Sequence, residues 1–280
     1  MNNIKSSTVL LSVYIGDNLI EVKQCLDSVL NQSFKHYNIL LIFDGELKEE
    51  VYSYLKNKEK ENNFIKCLEL NKNMGLAHAL NYGIENINSE FIIRVDADSI
   101  SKPDRFKIQI EHLEKNKQID VLGSMIEEVR IGGKIYYQEM PVKHESCYNS
   151  FRYRNPINHP TAIFRKSFFD KSGLYPTKYY KDEDSALWLN GFINGCIFEN
   201  INKPLVQCKL DNELLSRRKE FKGILYTFIN KVRIAYKLKY GLSSYLFALL
   251  RLFVMLSPKK LLMKSYLMRN KIWDLINNDK

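Results

Sequence analysis

Four apolar runs separated by helical patterns constrain this chain more than any other feature. Thr8–Tyr14 (TVLLSVY), Tyr37–Phe43 (YNILLIF) and Phe91–Val95 (FIIRV) are near-continuous hydrophobic stretches rich in β-formers, and Ile65–Leu70, interrupted by Lys66 and Glu69, is a further candidate strand. Strands that read as unbroken apolar runs are buried on both faces, the habit of parallel sheets. Between them, Leu19, Val22, Leu26, Val29 and Leu30 recur at helical spacing; Glu46–Asn62 reads as a solvated helix; Gly75–Ile87 places Leu76, Leu80 and Ile84 on one face. Strand alternating with helix implies right-handed βαβ units and an α/β, mainly parallel sheet flanked by helices. In such sheets ligands bind beyond the carboxyl ends of the strands. Three polar clusters fall at those ends: Tyr14–Asn18, Asp44-Gly45 and Asp96–Ser99.

The pattern changes further on. Ser101-Lys102-Pro103-Asp104 predicts a helix start, with a capping Ser and an early Pro. Val121–Arg130 and Lys134–Tyr137 flank Gly132-Gly133, a hairpin signal. From about residue 222 the chain is helical in composition. That is also where its charge lies. The net charge is +10, yet residues 1–221 are neutral, while residues 222–280 carry 12 Lys and Arg against Asp274 and Asp279. Two parts are therefore expected: a domain over 1–221, and a basic, apolar helical tail over 222–280 with an anionic partner. Five scattered cysteines without a CxxC fit a reducing compartment. No leader pattern opens the sequence, and no run reaches the roughly 18–20 apolar residues of a spanning helix. A cytoplasmic protein, resting on a membrane at most, is expected.

Three groups of residues could carry chemistry. Asp96 and Asp98 stand one residue apart at the end of an apolar strand. Two such acids repel unless a cation joins them, and Mg²⁺ or Mn²⁺ commonly bridges carboxylates to phosphates; a turn with solvated acids is the plainer reading. Asp182-Glu183-Asp184 precedes the apolar stretch Ser185–Phe192. Acids there either cap a helix or supply a general base. Asn155-Pro156-Ile157-Asn158-His159-Pro160-Thr161 holds His159 between two prolines, where it is either structural or in reach of metal or substrate. No GxGxxG, GxxxxGK[ST], GxSxG or HExxH occurs, which argues against dinucleotide, P-loop, α/β-hydrolase and zincin chemistry.

Taken in order, the segments SVY (Ser12–Tyr14), CLDSVLNQS (Cys25–Ser33), FDG (Phe43–Gly45), NMGLAHALNYGI (Asn73–Ile84), RVDADSISKPDRFKIQ (Arg94–Gln109), NPINHPTAIFRKS (Asn155–Ser167) and DEDSALWL (Asp182–Leu189) resemble the family-2 glycosyltransferases of GT-A fold. Within them the chain is similar to the bacterial surface-polysaccharide subgroup, of amylovoran and O-antigen (lipopolysaccharide) type. The resemblance implies a nucleotide pocket at Val13, Tyr14 and Asp44, with Asn73–Leu76, including Gly75, as a donor-side loop. It makes Asp96 and Asp98 the DxD motif, with Asp98 the chief ligand of Mn²⁺ or Mg²⁺ and Asp96 facing the ribose or a metal-bound water. It makes Asp184 the base, with Glu183 beside it. The chain departs from the family pattern at Phe43, Glu46 and Leu80.

The resemblance further implies inverting transfer of a sugar, galactose first, from a UDP-sugar to an undecaprenyl-diphosphate-linked saccharide. The tail, apolar over Leu242–Leu256 and flanked by basic residues, is either a contact with an anionic surface on the inner face of the cell membrane or a pair of helices packed on the core. Two other classes fit less well. A sugar-nucleotide nucleotidyltransferase wants a Gly-rich basic loop after the first strand, which Ile15-Gly16-Asp17 does not supply. A nucleic-acid binder wants basic residues interleaved with aromatics over a face, whereas here they sit in a tail with long apolar runs.

Overall fold

The computed structural model describes residues 6–130, 132–179, 182–210 and 220–258. The first four apolar runs are strands β1 (Ser7–Val13), β2 (Tyr37–Phe43), β3 (Ile65–Glu69) and β4 (Phe91–Asp96). They lie in the order β3-β2-β1-β4, all parallel, with Val13 level with Phe43 and Ser12 level with Asp96. The chain steps outward from β1 to β3 and then returns to the other side of β1. The order thus reverses between β1 and β4, which is where open α/β sheets leave a crevice.

Both faces of this sheet are covered, as the unbroken apolar runs predict. Along β1, Val9, Leu11 and Val13 join one core with Val22 and Leu26 of helix α1 (Leu19–Leu30) and Leu55 of α2 (Glu49–Glu61). Leu10 turns to the other core, beneath α3 (Leu76–Glu85). The alternation is the two-residue period of a strand.

After β4 the architecture becomes mixed. Short β5 (Ser99–Ser101) is followed by α4 (Arg105–Lys115), the hairpin β6 (Val121–Arg130) and β7 (Ile135–Gln138), α5 (His144–Ser150), a 3₁₀ turn at His159–Thr161, β8 (Ile163–Arg165), α6 (Ser167–Ser172), α7 (Glu183–Ile193) and β9 (Phe198–Leu210). Strand β8 joins the halves by pairing antiparallel with both β4 and β6; β9 runs parallel to β6; β5 pairs antiparallel with β9. The hairpin forms as expected, with Gly132 and Gly133 at φ +83° and +76°.

The predicted helix start at Ser101 is displaced. Ser101 ends β5, and its hydroxyl accepts from Arg105 Nη1 (3.0 Å). Helix α4 begins four residues later; Asp104 caps it without a side-chain bond and instead accepts from Ser33 Oγ (2.7 Å). Pairing with β9, 105 residues distant in sequence at Ser101–Val206, outweighs the local capping signal.

The tail begins with α8 (Phe221–Lys237), which packs on α7, and α9 (Leu242–Leu256), which packs on α8. A boundary at 221/222 therefore falls on the first turn of α8. Ile234, Ala235, Leu238 and Tyr240 belong to the same core as Trp188 and Phe151. Tyr148 Oη donates to the Leu238 carbonyl (2.9 Å), and Tyr240 Oη donates to the Tyr148 carbonyl. The outward face of α9 is apolar and bare: Leu242, Leu246, Leu250 and Phe253 are 59–74% exposed. No helix among the described residues is long and apolar enough to cross a membrane. The basic run from Lys259 to Lys280 lies outside the described residues.

Candidate active site

Three strand ends build one wall of the site. The Asp44 amide donates to the Val13 carbonyl (2.8 Å), locking the end of β2 to the end of β1. The Asp44 carboxylate is 3% exposed and accepts from the Met74 amide (2.7 Å) and the Gly75 amide (3.0 Å). The chain thereby brings Val13, Asp44, Asn73 and Gly75 side by side. Gly45 makes this possible: its φ is +80°, and a Cβ there would overlap the backbone nitrogen of Asn73. Tyr14 opens a tight turn, its amide donating to Asp17 Oδ2 (2.9 Å) and its carbonyl accepting from the Asp17 amide (3.0 Å).

The DxD segment leaves β4 beside this wall. The Asp96 carbonyl accepts from Cys25 Sγ (3.1 Å) and Ser99 Oγ (2.9 Å), and its carboxylate is ion-paired with Arg94. Asp98 is exposed. Arg94 is 2% exposed, and a second buried guanidinium, Arg105, donates from Nη2 to the Arg94 carbonyl (2.8 Å). Buried cations persist only where anions answer them. The anions here come from two directions: Asp98, then Glu183 and Asp184, each favour the charged form of Arg94 against the burial that lowers it. One buried guanidinium thus feels the charge both of the DxD segment and of the acidic start of α7.

On α7 the acids are held by a polar network. Asp182 is the N-cap residue; its Oδ1 accepts from Ser185 Oγ (2.9 Å) and its Oδ2 from Asn230 Nδ2 (2.7 Å). Asp184 Oδ2 accepts from Asn155 Nδ2 (2.8 Å), and its Oδ1 from the Ser185 amide (2.6 Å). Burial, then the Asp184 charge, pushes Glu183 up from its ordinary 4.5 to about 7. Burial raises Asp184 as well, against the lowering effect of these bonds and of Lys231 and Arg94. A carboxyl titrating near neutrality is suited to proton transfer.

His159 has other neighbours. Its Nε2 is hydrogen-bonded to Tyr175 Oη at 2.7 Å, and its ring meets Trp188 edge-on at 6.1 Å. Burial and Arg94 push it well below the ordinary 6.5, so it stays a neutral imidazole. No three His, Cys, Asp or Glu side chains among the described residues are grouped to share a metal ion. The donor set at the DxD segment is one exposed carboxylate and one already paired with Arg94. That suits a hard cation completing its shell with phosphate oxygens and water.

Comparison with known proteins decides the class. The family described as Glycosyl transferase family 2 matches residues 19–173. This chain belongs to that family. It is 32% identical over 231 residues, 82% of each chain, to the UDP-Gal:alpha-D-GlcNAc-diphosphoundecaprenol beta-1,3-galactosyltransferase of Escherichia coli. It is 26% identical over 92% of its length, and 97% of the other's, to the amylovoran biosynthesis glycosyltransferase AmsE of Erwinia amylovora. Among solved structures it resembles S. aureus TarS 1-349 in complex with UDP, with TM-score 0.62 and 16% identity over 91% of this chain and 82% of that one. The fold is GT-A, with C-terminal helices added.

In this family-2 glycosyltransferase several site residues have no counterpart in the sequence reading. Asn155, which holds Asp184, lies in the proline loop singled out for His159. Arg94 stands in the apolar strand β4, where nothing local marks it as part of the site. Asn81 grips the backbone of Tyr175 through two bonds (2.8 and 2.9 Å) and so ties α3 to the segment before α7. Asn230 and Lys231 lie in what reads as tail, on a helix that also carries Lys222, Arg233 and Lys237, so no local signal sets them apart.

Proposed function

We propose that this glycosyltransferase moves a sugar, galactose first among candidates, from a UDP-sugar to a saccharide carried on a polyprenyl diphosphate, in the assembly of a bacterial surface polysaccharide. The observation that carries the reading is the meeting of the DxD strand end and the acids of α7 around Arg94, at the crevice of the parallel sheet. The Escherichia coli relative's name supports the donor and acceptor, and the UDP complex of TarS supports a uridine nucleotide.

The nucleotide lies against Val13, Tyr14 and Asp44, with the Asn73–Gly75 loop closing over it. Asp98 with Asp96 would hold Mn²⁺ or Mg²⁺, which would supply Lewis-acid neutralisation of the departing diphosphate. His159 would join them as a third ligand only by giving up its bond to Tyr175 Oη. Asp184 receives the proton of the acceptor hydroxyl as that oxygen attacks the anomeric carbon from the face opposite the nucleotide. Asn155 and the Ser185 amide fix the orientation of the Asp184 carboxylate, and Glu183 adds a second carboxyl titrating near neutrality. Inversion follows from the single displacement, and no nucleophilic Ser or Cys is called for. The enzyme works at the inner face of the membrane, with the bare apolar face of α9 and the basic residues after it toward anionic lipid.

A donor screen tests this: UDP release from a panel of nucleotide sugars, with a synthetic lipid-diphosphate GlcNAc acceptor and Mn²⁺ or Mg²⁺. UDP-galactose is expected to give the highest acceptor-dependent rate. Failure of every UDP-sugar in the panel to support acceptor-dependent turnover would overturn the reading.

A further inference from the structure

Helix α8 lies outside residues 19–173 of the family match, yet it presents two polar side chains to the core. Asn230 is 0% and Lys231 4% exposed. A buried ammonium is costly unless a counter-charge faces it, and packing alone asks for neither residue. What they face is the start of α7. Asn230 Nδ2 donates to Asp182 Oδ2 (2.7 Å) and approaches the Asp182 carbonyl (3.2 Å). Asp182 Oδ1 and Asn155 Oδ1 both lie within reach of Ser185 Oγ (2.9 and 2.8 Å), and Asn155 Nδ2 holds Asp184. The chain of contacts therefore runs from α8 to the carboxylate read as the base. Lys231 Nζ donates to the Phe151 carbonyl (3.3 Å) and stands 5.1 Å from the centre of the Phe151 ring.

We propose that Asn230 and Lys231 are positioning residues for the acids of α7: Asn230 anchors the Asp182–Ser185–Asn155 bonds that orient Asp184, and Lys231 supplies their counter-charge from behind. The proposal rests on Asp184 being the base. Other charged groups face the same acids: Glu183 on α7 itself and Arg94 on β4. Burial, then Arg251 of α9 and more weakly Arg154 of the segment after α5, push Lys231 down from 10.5 to about 7 against Asp182 and Asp184, so its counter-charge is present below neutrality, over the acidic limb. Lys231 lowers both Asp182 and Asp184, against the burial that raises them. Removing it leaves burial less opposed, so the acids hold their protons to higher pH.

The test is the pH profile of kcat for UDP-sugar turnover by the full chain, as wild type, Lys231→Met, Lys231→Arg and Asn230→Asp, with UDP affinity measured for each. Lys231→Met is expected to move the acidic limb upward by about one pH unit, with UDP affinity within about twofold of wild type. Lys231→Arg is expected to hold the limb near wild type. Asn230→Asp sets another carboxylate against Asp182 and is expected to move the limb the same way as Lys231→Met, which keeps the proposal testable if Lys231→Met does not fold. A limb unmoved in the folded variants, with kcat reduced equally at every pH, overturns the proposal and leaves the function intact. Absence of turnover in the wild type overturns the functional reading and this proposal with it.

Discussion

Gly45 shows how much one side-chain atom decides at the strand ends that form the candidate nucleotide pocket. Its positive φ and the closeness of the Asn73 backbone leave no room for a methyl group. Gly45→Ala is expected to destabilise the fold by roughly 1–3 kcal/mol and to weaken UDP binding, read by thermal unfolding and nucleotide titration; unchanged UDP affinity would separate this loop from the pocket. At the opposite side, Asp184→Asn keeps the shape but cannot take a proton. Turnover should fall by about 10²–10⁴-fold while UDP still binds, measured by rate and by titration. Asp98→Ala is expected to abolish divalent-ion-dependent turnover; near-wild-type transfer would exclude it as the metal ligand. Glu183 makes a stability prediction. Its carboxyl is raised from 4.5 to about 7 in the folded chain. Between those pH values the folded state binds more protons than the unfolded one, so this group's contribution to stability falls as pH rises through that window. Glu183→Gln should flatten the decline, seen as a smaller loss of Tm between pH 5 and pH 8 on about the same scale.

Elements were legible where local pattern and tertiary need agree. The four apolar runs are strands and the amphipathic segments between them are helices, because a sheet covered on both faces asks for those sequences and few others. Agreement fails where a strand is defined by its partner. Ile163–Arg165 and Ser99–Ser101 are three residues each, too short to show a period, and exist because β4, β6 and β9 offer them hydrogen bonds. Helix α9 belongs to neither case. It satisfies α8 on one side and leaves Leu242, Leu246, Leu250 and Phe253 in solvent. Replacing Leu246, Leu250 and Phe253 by Glu is expected to reduce co-sedimentation with anionic vesicles at least tenfold, since apolar burial and lipid charge are both opposed. Binding equal to wild type would show that α9 is not the lipid-facing element.

At the scale of the molecule, the positive charge gathers in residues 222–280, while the packing runs on from the preceding chain into helix α8. Helix α8 completes the core around Trp188 and Phe151 and reaches the network at Asp182. A chain ending near residue 220 is therefore expected to lose stability, with a Tm lower by 5 °C or more on the roughly 2–4 °C per kcal/mol of a chain this size, as measured by calorimetry. Retention of the full-length Tm would show that the tail is an appendage after all.

The sequence by itself determined the parallel half of the sheet, the polar strand ends at its crevice, the two acidic motifs and the family. These are carried by local periodicity and by short motifs that keep their meaning wherever they fall in space. Only the tertiary structure decided which residues serve the motifs: Arg94 between the two acid groups, Asn155 on Asp184, and Asn230 and Lys231 beneath Asp182. Each acts across 29 to 90 residues of chain, and a side chain's charge and hydrogen bonds are set by what folding brings within about 3 Å of it, which no local pattern records.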